Sequence, residues 1–174
     1  LATRAWQWLQ GDTVRRELPA MLRLVVATRL PIIVIGFLAV GAIPLETDLG
    51  SQYHDSVWVN LLARWDAILY ADIARSGYTW DGNPMRQQTV VFFPGFPLVV
   101  NVVSRFFSIH SLQAGWLVSM IAFAWAMVLL VRLARMLTDS DAATDAAWLL
   151  SCYPFAYFFG AAYSESLFLL TMCG

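Results

Sequence analysis

The sequence is short of charge. Of its 174 residues only 13% are charged, about half the share of an ordinary soluble domain, roughly 25%. A soluble domain of this size leaves much of its surface in water and needs polar residues to cover it. Here 59% of residues are hydrophobic and the mean hydropathy is +0.61. With a net charge of −1, global electrostatics predicts no nucleic-acid partner. Cysteine is scarce too. Cys152 and Cys173 both sit in apolar blocks at a spacing that fits no zinc pattern, so they read as buried thiols rather than a disulfide or metal site. His54 and His110 stand alone, and no glycine-rich phosphate loop is present. The opening residues lack the apolar core and cleavage site of a signal peptide. A start at Leu1 and a stop at Gly174 inside an apolar run lead us to expect a piece of a longer protein.

What the sequence has is long apolar blocks. A greasy soluble helical domain would spread its apolar residues in stripes; blocks are the membrane pattern. The expected fold is all-α: a polytopic transmembrane helical protein whose large first non-cytoplasmic loop carries an amphipathic surface helix. Residues 1–21 read as a cytoplasmic or interfacial segment, with Trp6 and Trp8 suited to the headgroup region. Residues 22–43 match the roughly 20 residues that cross a hydrocarbon core. Within them Arg23 can snorkel, Arg29 is deep enough to need a protein partner or a tilted helix, and Pro31 can kink the helix. Residues 44–89 form the loop, and residues 90–174 supply further membrane helices. In that last part the prolines at 94 and 97 delay the helix start to near Gly95, residues 112–131 form a clean span, and 146–162 form a third long block.

Within the loop, residues 61–76 have helical periodicity. Leu61, Leu62, Trp65, Ile68, Leu69 and Ile73 share one arc, and Gly77 suits a C-terminal cap. The loop holds six acidic side chains and three arginines between residues 44 and 88. The positive-inside rule then puts the N-terminus in the cytoplasm and the loop outside. For Arg132 and Arg135 to be cytoplasmic as well, 90–107 and 112–131 must together cross once. If both cross fully, Glu165 lies in the cytoplasm instead.

Two carboxylates stand out. Asp66 lies at the edge of the apolar arc, where partial desolvation can tune a general base, with Tyr70 one turn on to orient it; the ordinary alternative is a surface ion pair with Arg64. Glu165 lies between two apolar blocks, either as a functional intramembrane acid or as a helix cap, with Ser164 and Ser166 placed to hydrogen-bond locally. Asp72 reads as the partner of Arg75, three residues on. The VVFFPGFP run either lines a lipid-tail groove or simply breaks a helix.

RWDAILYADIARSGY (64–78), VVFFPGFPLV (90–99) and YPFAYFFGAAYSESLFLL (153–170) occur in that order. Together they resemble the PIG-V family of mannosyltransferases, whose founding members add the second mannose to the glycosylphosphatidylinositol anchor. Through that family the chain resembles the wider GT-C class of integral-membrane glycosyltransferases, with residues 20–174 as the N-terminal part. The resemblance implies a single transmembrane glycosyltransferase domain, with Asp66 as the acidic residue after tryptophan in the first non-cytoplasmic loop and Trp65, Tyr70, Gly77 and Tyr78 as the rest of that motif. Phe92, Phe93, Pro94 and Pro97 match the FFP-x-x-P element; Tyr163, Glu165 and Ser166 match Y-T/S-E-S. Arg64 stands where eukaryotic members carry histidine, and Ile68-Leu69 where an aromatic residue precedes Tyr70. Those departures point to bacterial members, which build no such anchor, and to the plasma membrane with the site on its non-cytoplasmic face.

By this resemblance Asp66 and Glu165 are catalytic, and Arg64, Trp65, Tyr70, Tyr78 and Tyr163 bind substrate. The donor is a polyprenyl-phosphate sugar, and the acceptor is lipid-linked or part of the cell envelope. No tightly bound organic cofactor is expected; a divalent metal near the leaving phosphate is compatible with the chemistry. The competing classes are a transporter or flippase of a lipid-linked substrate, marked by broken helices and internal repeats, and an inactive scaffold subunit.

Overall fold

In a computed structural model, the structure describes residues 11–42, 56–83 and 88–174. The expectations for Trp6, Trp8 and much of the polar loop fall outside those residues. Among them the fold is all helical, with no strand. The helices are α1 (Gly11–Ala42), α2 (Val57–Leu62), α3 (Asp66–Ser76), α4 (Gly95–Phe107), α5 (Ser111–Ala134), α6 (Ser140–Cys152) and α7 (Glu165–Cys173). Short 3₁₀ segments cover Thr89–Val91 and Pro154–Gly160. Among the described residues two helices are long and apolar enough to cross a membrane: α1 over Glu17–Ala39, and α5.

α5 is the hub and packs against every other helix. It is built for that, with small residues such as Ala114, Gly115, Ala122 and Ala126 buried along it. Small side chains let neighbouring backbones come close. A Cβ on Gly115 would come within 3.1 Å of the Ala162 Cβ. α1 and α5 run antiparallel. At one end Glu17 pairs with Arg135, and Met21, Leu24 and Val25 pack with Phe123 through Val131. At the other end Phe37 stacks on Trp58 at 5.6 Å, and Trp58 meets Trp116 edge-on at 5.2 Å.

α4 starts at Gly95, where the prolines require it to. At 1.5 Å per residue its 13 residues reach roughly 20 Å, short of a hydrocarbon core of about 30 Å. It folds back on the first turns of α5, with Phe96 and Val100 against Ala114 and Val118. His110 and Gln113 form a reciprocal cap that starts α5 directly after the turn.

The 146–162 block is not one span. α6 stops at Cys152, because Pro154 has no amide hydrogen to offer and disfavours helical backbone at the residue before it. The chain continues as a 3₁₀ segment to Gly160 and turns into α7. Cys152, expected to be buried, is exposed, and Cys173 is half-buried; both thiols are free.

The break exposes peptide carbonyls in apolar surroundings, and Arg29 takes them. Its guanidinium donates to the Ser151 carbonyl at 2.8 Å and to the Ala156 carbonyl. It also lies over the Phe123 ring, 4.6 Å from the centroid. The deep arginine of α1 therefore has the protein partner that its depth demanded. α1 itself runs unbroken through Pro19 and Pro31.

Replacing Arg29 by Leu removes the guanidinium that pairs both carbonyls, at a cost of about 1–3 kcal/mol for each orphaned group. The purified variant should melt well below wild type, and Arg29→Lys, which reaches fewer acceptors, should fall between. Equal melting of Arg29→Leu and wild type would remove Arg29 from this role.

Candidate active site

The surface helix expected over residues 61–76 is two helices. Residues 63–65 separate α2 from α3, and Trp65 sits at φ 45°, ψ −126°. A non-glycine residue with that backbone is strained by about 1–3 kcal/mol. The buried face differs from the expected arc as well. α3 buries Ala67, Ala71, Ile73 and Ala74, while Trp65 is 72% exposed. Ala67 and Ala71 pack with Leu112 of α5, and Ala74 packs with Phe96, Val100 and Ala114. Gly77 caps α3 at φ 82° as the sequence suggests, and Asp72 pairs with Arg75 at 2.8 Å.

One hydroxyl holds the strained turn. Tyr163 Oη donates to the Arg64 carbonyl at 3.1 Å and accepts from the Asp66 amide at 3.1 Å. It thereby spans the two peptide groups that flank Trp65. Burial pushes the Tyr163 hydroxyl up to about 12; the Asp66 amide hydrogen bond opposes this, and the Asp66 and Glu165 carboxylates reinforce it. The proton stays on, and the donation to Arg64 persists. Ser119 in turn donates to the Tyr163 carbonyl at 2.8 Å. Asp66 is thus anchored through its own backbone by Tyr163 and not, as expected, oriented by Tyr70.

Tyr70 does something else. Its ring meets Phe92 at 4.9 Å, Phe96 at 5.2 Å and Tyr163 at 6.1 Å, all edge-on. Its hydroxyl shares a hydrogen bond with Ser164 Oγ at 3.0 Å. Burial raises its pKa, and the bond to Ser164 partly offsets that. Tyr78 donates to the Phe92 carbonyl at 2.9 Å. The three sequence segments quoted above therefore meet at one point, with Tyr70 at the centre.

Glu165 opens α7, so its carboxylate faces the positive end of that helix. Burial pushes its carboxyl above the ordinary range; its own backbone amide opposes this, and the Asp66 charge adds to it. The two carboxylates are thus near enough to sense each other. One Glu165 oxygen, Oε2, is buried with no hydrogen-bond partner among the described residues. Ser166 turns the other way and donates to the Phe159 carbonyl at 2.8 Å.

Trp65 projects beside this pair, its ring edge-on to Tyr157 at 6.4 Å and tilted to Phe158 at 6.2 Å. The Arg64 side chain is on the same side, near enough for its charge to act on the Tyr157 hydroxyl. Sequence reasoning missed Tyr157, Phe158 and Ser119. Ser119 had a usable signal as a lone hydroxyl inside a long apolar helix; the two aromatics had none, standing in an aromatic run.

Tyr163→Phe removes only the bridging oxygen. It leaves the Asp66 amide unpaired and the Arg64 carbonyl with only the Ala67 amide as a partner, for a stability loss of about 1–3 kcal/mol, read by thermal melting; no loss would mean that the hydroxyl does not hold the turn. Glu165 makes a pH prediction. Its folded pKa lies above its unfolded one, so its contribution to stability is complete below the unfolded value and is lost as pH rises through the folded value. Glu165→Gln has no charge to bury. As pH rises above the ordinary glutamate value of about 4.3, the melting temperature of the variant should gain on wild type; a gap that does not change with pH would contradict the burial.

Over residues 40–174 the chain matches the family described as Mannosyltransferase (PIG-V). Searches of curated proteins and of solved structures found no match. The family match contains all three converging segments and covers most of the chain. The chain belongs to the PIG-V mannosyltransferase family.

Proposed function

We propose that this chain carries the acid–base part of an inverting membrane mannosyltransferase, which moves a sugar from a polyprenyl-phosphate donor to a lipid-linked or cell-envelope acceptor. The observation that supports it best is the meeting of the three family segments around Tyr70, with Asp66 and Glu165 near enough for their charges to interact. Family membership supports a mannosyltransferase-like enzyme. The donor, the acceptor class and the residue roles are our reading.

Asp66 is the general base. Its carboxylate takes the proton of the acceptor hydroxyl as that oxygen attacks the anomeric carbon; the bond from this carbon to the phosphate oxygen breaks, and the phosphate leaves with the electron pair. Glu165, whose burial favours the protonated form, hydrogen-bonds the acceptor or the phosphate. Arg64 meets the developing phosphate charge. Trp65, with Tyr157 and Phe158, presents an aromatic wall to the sugar, while Tyr70, Tyr78 and Tyr163 hold that wall and the base in place. Among the described residues no three His, Cys, Asp or Glu side chains converge. A divalent ion would have Asp66 and Glu165 as protein ligands and would need substrate oxygens to complete its shell. Such an ion would offset charge on the leaving phosphate.

The same reading sets the topology. Glu17, Arg132 and Arg135 belong to the cytoplasmic end of the α1–α5 pair, and Asp66 and Glu165 to the non-cytoplasmic half of a bacterial plasma membrane protein. α4 is then a hairpin limb that does not cross.

The decisive assay uses purified full-length wild type, Asp66→Asn and Glu165→Gln with a polyprenyl-phosphate mannose donor, following donor hydrolysis where no acceptor is known. Asp66→Asn should lose turnover by roughly 10²–10⁴, the scale of general-base catalysis, while melting like wild type. Near-normal turnover in the folded variant would defeat the assignment, and collapse in Glu165→Gln alone would move the base to Glu165.

A further inference from the structure

The end of α3 and one side of α4 form a groove of about 390 Å³, away from the carboxylate pair. Asn101 forms its floor by donating to the Ala74 carbonyl. Its charged groups are Arg75 and Arg105, with Tyr78 at the edge. Arg75 is paired with Asp72, but Arg105 is exposed and has no ion pair or side-chain hydrogen bond among the described residues. Counting Asp72, the groove carries one net positive charge, and Arg105 supplies it.

What lies beside the groove is apolar. On α4 the stripe next to Arg105 is Leu98, Val102 and Phe106, spaced four apart and 65%, 59% and 80% exposed. The opposite stripe, Phe96 and Val100, is buried against α5. α4 therefore presents a cationic groove alongside an outward apolar track. An anionic headgroup with a hydrocarbon tail is complementary to both at once, whereas a free anion or a neutral lipid satisfies only one.

The groove is also in the wrong place for a leaving group. Asp66 and Arg75 are the first and tenth residues of α3, roughly 13 Å apart along the axis at 1.5 Å per residue. A leaving phosphate is bonded to the carbon that the acceptor attacks, so it must lie within a few ångströms of the base. We propose that the α3–α4 groove is a second lipid site, which binds the phosphate headgroup of a membrane amphiphile on Arg105, with its tail along Leu98, Val102 and Phe106. The spatial argument rests on the reading of Asp66 as the base; the binding itself does not. In a transferase with a lipid-linked acceptor, a phosphate at this distance is that of the acceptor's own anchor, with its sugars bridging the interval. An anionic phospholipid of the bilayer offers the same chemistry.

The test is binding and needs no turnover, so it can fail while the base assignment stands. Detergent-purified full-length protein is titrated with dioleoyl phosphatidylglycerol, dioleoyl phosphatidylcholine, undecaprenyl phosphate and inorganic phosphate, and thermal stabilisation is read. Both lipid phosphates that carry net charge should stabilise wild type at concentrations at least tenfold below phosphatidylcholine and inorganic phosphate. Arg105→Gln should abolish the preference for phosphatidylglycerol over phosphatidylcholine and Arg105→Lys should restore most of it, with both variants melting like wild type before lipid is added. A preference for undecaprenyl phosphate over phosphatidylglycerol that Arg105→Gln removes assigns the groove to isoprenoid-linked ligands, and equal response assigns it to any anionic lipid; either supports the site. The site is overturned if phosphatidylcholine matches phosphatidylglycerol, if inorganic phosphate matches the lipids, or if Arg105→Gln keeps the preference.

Discussion

A helix that stops inside an apolar environment releases peptide groups that nothing around it can satisfy, and each costs as much as a lost hydrogen bond. This fold interrupts its helices repeatedly, and at several of the breaks a side chain from another element takes a released group. Arg29 takes the carbonyls released where α6 ends. Tyr163 takes the pair released between α2 and α3. Ser119 takes the Tyr163 carbonyl, Ser166 the Phe159 carbonyl, and Asn101 the Ala74 carbonyl. The interrupted helices allow chain segments far apart in sequence to meet, and these polar side chains make the interruptions tolerable. Tyr163 links the two effects, since the hydroxyl that satisfies a break also fixes the backbone of Asp66.

The same constraint explains what was legible in the sequence. The helical run over residues 112–131, the start of α4 at Gly95 after its prolines, the cap at Gly77 and the Asp72–Arg75 pair all depend on neighbours in sequence, and each was readable. The demand of Arg29 for a partner was readable as well, though its identity was not, because the partner is backbone more than 120 residues away. The surface helix failed for a related reason. Periodicity assigned Trp65 to the buried arc, but close packing on α5 selects the alanine face, and the Tyr163 hydroxyl tethers the turn from 97 positions further on. The site residues were legible as types in ordered motifs. Their roles were not, and Tyr70 shows it. Spacing placed Tyr70 one turn from Asp66, whereas the fold points its hydroxyl at Ser164.

The strained backbone at Trp65 follows from this arrangement. Continuing one helix through residues 61–76 would relieve the strain of about 1–3 kcal/mol. It would also swing Trp65 onto the packed face and carry Asp66 away from Tyr163. Two hydrogen bonds to one hydroxyl, at about 1 kcal/mol net each, are of the right size to hold the strained form. The balance is close, so the exposed tryptophan beside the carboxylate depends on the tyrosine continuously.

The broken block at residues 153–164 is the feature a transporter would also show, since half-helix ends near the middle of the membrane coordinate ions in that class. Here the carbonyls at the end of α6 are already bound by a guanidinium that is itself stacked over Phe123. A permanent cation at the negative end of a helix does what a transported ion would do, but it cannot leave. Gly160 reinforces this, because a Cβ there would come within 3.0 Å of the Arg29 side chain. The break is therefore a locked corner and not a vacant ion site. Its consequence is geometric: it turns the chain so that Tyr163, Ser164 and Glu165 arrive beside Asp66. A fixed corner suits an enzyme, which needs its carboxylates held in register, better than a carrier, which must let such a corner move.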